Sequence, residues 1–146
     1  MGKVRVGVTI DAPPPRVWDE VEHIDGHVAW MADAESIRFT SRSRRGVGTT
    51  FDCVTRVGPI RLTDRMEVTE WREGRAIGVR HVGVVTGTGR FTLRRARRGR
   101  TRFTWEERLR YPWWLGGPVG GVAGDRVMAA IWRRNLATLK GLVEGR

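Results

Sequence analysis

Ile60-Arg61-Leu62-Thr63-Asp64-Arg65-Met66-Glu67-Val68-Thr69-Glu70-Trp71 alternates along its length. Ile60, Leu62, Met66 and Val68 share one face, with Arg61, Thr63, Arg65, Glu67 and Thr69 on the other. A period of two marks a strand with one face buried and one in water. Asp64 falls on the apolar face, where an unpaired carboxylate is costly. Gly58-Pro59 before the stretch and Glu73-Gly74 after it are turn chemistry. Links this short join antiparallel neighbours, because parallel pairs need crossovers of a dozen or more residues.

The same texture extends in both directions. Strands are predicted over 36–42, 48–58, 60–71, 76–85, 88–97 and 101–110, and a further one over 4–10, where Val4, Val6, Val8 and Ile10 alternate with Arg5, Gly7 and Thr9. In 76–85, Ile77 and Val79 share a face with His81; in 101–110, Phe103, Trp105 and Leu109 share one with Glu107. Between the first strand and the rest, Ala12-Pro13-Pro14-Pro15 stops the chain and opens a helix, since proline suits a first helical turn. Val17, Trp18, Val21 and Ile24 recur at helical spacing, Asp25-Gly26 breaks it, and a second short helix is expected over 27–31. Residues 111–121 read as a Gly/Pro loop carrying Trp113 and Trp114. Residues 122–144 form the longest helical pattern, with Met128, Ile131, Trp132, Leu139, Leu142 and Val143 on one face and Asn135 near its middle. One strand, two short helices, six strands and a long helix give an α+β architecture: one antiparallel sheet with its helices on one side, expected as a single domain over 1–146.

Composition narrows the function classes. The chain has 146 residues, 40% of them apolar and 29% charged, enough for one domain with a sizeable core and a solvated surface. The N-terminus alternates charged and apolar residues, unlike a signal peptide, and no apolar run approaches the length of a membrane span, so a soluble cytoplasmic protein is expected. Cys53 is the only cysteine and reads as inert packing. His23 and His27 lie four apart without a third ligand, and no metal or cofactor is expected. The net charge is +11, and of 27 basic residues only Lys3 and Lys140 are lysine. Such a field attracts nucleic acid, anionic membranes and acidic ligands. An arginine-writing base composition explains it more simply.

The order of elements resembles the SRPBCC superfamily, which includes START domains, plant pollen-allergen-like proteins and bacterial polyketide cyclase/dehydrase proteins. The residues that carry the likeness are Ile10-Asp11-Ala12-Pro13 leading to Val17-Trp18, then Trp30, Gly46-Val47-Gly48-Thr49, Gly58-Pro59, Val68-Thr69-Glu70-Trp71, and the closing run Asn135-Leu136-Ala137-Thr138-Leu139-Lys140-Gly141-Leu142-Val143-Glu144. The resemblance implies a helix-grip fold: a curved seven-stranded antiparallel sheet around the last helix, enclosing a cavity. It implies binding or transport of lipids, sterols, quinones, polyketides or plant hormones, with cyclisation or dehydration in a minority of members. No catalytic motif is shared across the superfamily, so fold alone leaves function open.

Parity selects the cavity residues. Asp64, His81, Glu107 and Asn135 are candidate polar contacts, and Trp30, Phe51, Met66, Phe91, Phe103, Trp105, Met128, Ile131 and Trp132 candidate walls. A one-residue bulge would reverse every later assignment, and Arg65, Arg80 or Arg108 could neutralise the carboxylates structurally. Trp113 and Trp114 are candidates for a gate at the mouth or a membrane contact, with packing under the last helix as the alternative. The basic run 94–102 lacks aromatic stacking partners, which argues against single-stranded nucleic acid. A carrier for a hydrophobic small molecule is therefore the leading expectation. A polyketide aromatase/cyclase is the alternative, with Asp64, His81 and Glu107 as candidate acid/base groups, and peripheral contact with an anionic membrane is a further partner to test.

Overall fold

Seven strands arise where the sequence alternates, and the computed structural model describes residues 2–111 and 117–145. Strand β1 (Gly2–Ile10) leads into helix α1 (Pro14–Val21) and a 3-10 turn (Ile24–Ala29). Strands β2 (Ala34–Phe39), β3 (Thr50–Val57), β4 (Ile60–Arg72), β5 (Ala76–Val82), β6 (Thr86–Arg95) and β7 (Thr101–Arg110) follow, and helix α2 (Gly117–Glu144) closes the chain. All neighbours pair antiparallel in the order β1-β7-β6-β5-β4-β3-β2. The architecture is α+β, the helix-grip arrangement that the resemblance implied.

Several predicted boundaries move. Strand β2 starts at Ala34 rather than 36, and β6 starts at Thr86 rather than 88. The second short helix is a 3-10 turn that begins at Ile24, three residues early. Helix α2 begins at Gly117, inside the stretch read as loop. Its glycines are poor helix formers, but Pro118 lies in the first turn, where its fixed φ suits the helix.

The parity that places the interior holds through most of β4. Phe51 pairs with Met66, Met66 with His81, and Val68 with Val79. A bulge then falls between Val68 and Glu70. It leaves Glu70 facing outward to Arg90 (2.7 Å) and turns Trp71 inward against Trp18, ring centroids 5.4 Å apart. The bulge lies beyond Asp64, so the face that carries Asp64 is unaffected.

The apolar stripe of α2 packs along β1: Trp132, Leu136, Leu139 and Val143 join one core with Val4, Val6, Ile10 and Val17. The end of the helix is tied to the β1–α1 corner. The Asp11 backbone N–H donates to Glu144 Oε2 (2.5 Å), and Arg16 donates to the Val143 carbonyl (2.8 Å). The opposite face of the sheet carries ion pairs such as Arg65–Asp52 (2.9 Å) and Arg80–Glu67 (2.5 Å). Those two arginines therefore pair with outward carboxylates and leave the interior ones to another partner. No helix among the described residues is long and apolar enough to cross a membrane.

Candidate ligand cavity

A cavity of about 410 Å³ lies between the inner face of the sheet and α2, floored by the 3-10 turn. That size suits a small organic ligand. Its walls are mainly apolar, with Phe51, Met66 and Phe91 from the sheet and Met128 and Trp132 from the helix. Trp105 stacks on Trp132 across the sheet–helix gap, centroids 4.8 Å apart and planes 21° from parallel.

Asp64, His81 and Glu107 also face this cavity, and they touch. His81 Nδ1 lies 3.0 Å from both Asp64 oxygens, and Nε2 lies 2.5 Å from Glu107 Oε1. The second Glu107 oxygen accepts from Trp105 Nε1 at 2.8 Å. The sheet register makes this chain possible: Glu107 pairs with Gly89 on β6, and His81 pairs with Gly87. A Cβ at Gly89 would stand 2.8 Å from Glu107 Oε1, so the missing side chain is the space the carboxylate crosses. Burial on its own pushes the His81 imidazolium down. The Glu107 charge, the hydrogen bonds that the ring donates to Asp64 and Glu107, and the Asp64 charge outweigh it and lift the ring to about 10. His81 is therefore an imidazolium at neutral pH, donating from both nitrogens. It supplies the positive charge for which Arg65, Arg80 or Arg108 were the alternative source.

Four sequence-predicted contacts sit outside the lining. Trp30 and Phe103 belong to the aromatic layer beneath it, 2% and 0% exposed, where Trp30 meets Phe91, Phe103 and Trp105. Both lie on the apolar side as parity predicted, but one layer too deep. Ile131 packs at the edge of the core, away from the cavity. Asn135 is buried but turned to the chain: its Nδ2 donates to Asp33 (2.8 Å), and its Oδ1 accepts from the Ala32 N–H (3.0 Å). Trp113 and Trp114 lie outside the described residues.

Other lining groups escaped the sequence reading. Asp33, between the 3-10 turn and β2, is 8% exposed and accepts from Asn135 and from Trp132 Nε1 (3.3 Å). It stands in no periodic segment, so no pattern marked it. Cys53 follows Phe51 by two, and strand parity alone places it on the wall. Burial pushes its thiol up to about 12, which keeps it protonated and unreactive. His27 lines the floor, its Nε2 donating to the Val21 carbonyl (2.6 Å); burial drives it down to about 4, so it is neutral. Tyr111 lines the far end, and its hydroxyl has no hydrogen-bond partner among the described residues. The described residues contain no cluster of three His, Cys, Asp or Glu placed to hold a metal ion.

Solved structures share this fold at low identity. A protein of Thermus thermophilus superposes with a TM-score of 0.81 at 18% identity, covering 99% of this chain and 98% of its own. A START superfamily protein of Mycobacterium smegmatis gives 0.80 at 14% identity, covering 98% and 97%. XoxI of Bacillus cereus gives 0.78 at 13% identity, covering 98% and 96%. At such identities the likeness establishes the fold alone. No curated protein matches the sequence. The family model for polyketide cyclase / dehydrase and lipid transport matches residues 1–144, and with the START-like sheet and closing helix already in place, the chain belongs to that family.

Proposed function

We propose that residues 1–146 act as one unit that binds a small hydrophobic ligand, of lipid, quinone or polyketide-like chemistry, between the sheet and α2. The observation that carries this reading is the cavity of about 410 Å³, apolar over most of its wall and holding a few fixed polar groups. Phe51, Met66, Phe91, Trp105, Met128 and Trp132 would supply the apolar contact, and Asp64, His81 and Glu107 the polar one. Native mass spectrometry of gently purified protein tests it. A bound mass is expected in the natural chain and absent from Val79→Trp, which fills the cavity. Protein that stays bare after exposure to lipid, quinone and polyketide extracts would sink the proposal.

The Asp64–His81–Glu107 chain favours one second reading, a cyclase or dehydratase acting on a poly-β-keto substrate. An imidazolium can give a proton to a carbonyl, a carboxylate can take one from carbon, and the cavity can fold the chain. Against this, both ring nitrogens already bond to carboxylates, so neither faces a substrate. Binding without chemistry needs no such rearrangement and is the reading we favour. A poly-β-keto thioester incubated with the protein would separate the two by the appearance of a cyclised or dehydrated mass.

A cytoplasmic carrier must also load and unload, and peripheral contact with an anionic membrane fits the exposed aliphatics near the mouth. Ile60 and Val127 line the cavity yet are 45% and 48% exposed, and Val82 and Val84 flank the neighbouring turn. Sedimentation with anionic vesicles, weakened by salt, is the expected result.

A further inference from the structure

Resting on the ligand-binding reading, we infer that the cavity selects hydrophobic ligands bearing a protonated amine and turns away carboxylates. The chain as a whole carries +11, yet carboxyl groups outnumber cationic ones around its cavity. Asp33, Asp64 and Glu107 face the cavity, and His81 is the positive group among them. Three carboxyl groups thus face the cavity beside one imidazolium. Among the described residues, the Asp33 carboxylate receives neutral N–H groups, from Trp132 and Asn135. Arg90 borders the cavity through its strand, but its guanidinium bonds to Glu70 on the outer face. His27, the other imidazole of the lining, is neutral.

Hydrogen-bond supply points the same way. Both His81 nitrogens, the Trp105 and Trp132 indole N–H groups and the Asn135 amide are already committed to carboxylates. Each of those carboxylate oxygens can accept further bonds. These N–H donors are thus committed to carboxylates, and among the described lining residues the donors left over are neutral hydroxyls such as that of Tyr111. A ligand ammonium meets acceptors and a favourable field; a ligand carboxylate meets like charge, with neutral hydroxyls such as that of Tyr111 to hold it. The arginine shell does not reverse this, because water and salt screen surface charges over about 8 Å, whereas groups around a desolvated cavity interact in a lower dielectric.

The test uses the full chain and three ten-carbon probes at pH 7: decylamine, decanol and decanoate, by isothermal titration calorimetry. Decylamine and decanoate both lose hydration on entry, so their ratio isolates the sign of the field. Decylamine is expected to bind at least about tenfold tighter than decanoate, equivalent to about 1.4 kcal/mol. Asp33→Asn, and independently Glu107→Gln, should each narrow that ratio several-fold, with circular dichroism confirming the fold. Decanoate binding as tightly as decylamine, or decanol binding alone, overturns the selectivity and leaves ligand binding standing. If none of the three probes binds, the ligand-binding reading falls, and the selectivity with it.

Discussion

Raising the pH should unload His81, and the cost can be worked out. The ring has an ordinary value of 6.5 and is held at about 10 in the folded chain. A raised folded value means that the stabilisation is fully present below 6.5 and is lost as the pH climbs towards 10. Within that window the folded state holds one proton more than the unfolded state. Unfolding free energy should therefore fall by about 1.4 kcal/mol per pH unit, or roughly 5 kcal/mol across the window. The buried thiol of Cys53 adds a loss of the same sign, but only above its ordinary value of 9.0. His27, lowered from 6.5 to about 4, contributes with the opposite sign and fades above 6.5, so the range from about pH 7.5 to 8.5 isolates His81. Urea melts at half-unit steps supply the slope, and His81→Gln, which carries no titrating ring, should abolish most of it. Proton NMR of the imidazole supplies an independent midpoint. A midpoint near 6.5, or equal slopes in the two proteins, would refute the idea that Asp64 and Glu107 hold a charged ring.

Gly89→Ala should push the Glu107 carboxylate away, since the new Cβ would stand 2.8 Å from Oε1. The expected loss is about 1–3 kcal/mol in urea melts, with a lower His81 midpoint by NMR. Asp33→Ala strips the acceptor from the Trp132 and Asn135 N–H groups in a buried place and should cost about 2–4 kcal/mol, read by chemical denaturation. Cys53 should resist a thiol reagent in the native state and react at once in urea; prompt native labelling would contradict its burial.

Much of the fold was legible because strand alternation and helical spacing are read directly from apolar positions. The same parity put Asp64, His81 and Glu107 on one face, although nothing in it could show that they touch. That contact depends on cross-strand register, with Met66 opposite His81 and Glu107 opposite Gly89, and register is a property of paired strands. The misses have separate causes. Trp30 and Phe103 are apolar and inward, but depth within a core depends on how helix and sheet stack. Asn135 was rightly placed among apolar neighbours, yet its partner Asp33 lies 102 residues away in a segment without periodicity. Cys53 shares the parity of Phe51, so strand alternation alone puts its side chain on the cavity wall.

The tie between the two ends of the molecule has a consequence for synthesis. Among the described residues strand β1 pairs with β7 alone, and α2 then lies along β1 with its last turn fastened at Asp11 and Arg16. The first strand made must therefore wait for one of the last, across a long and entropically costly closure. Until β7 and α2 are made, β1 lacks its partner and the apolar face of the sheet is covered in part, by α1 and the 3-10 turn. Closure of this fold is thus a late event, and the interval before it is when the chain is most open to aggregation or to the hold of a chaperone.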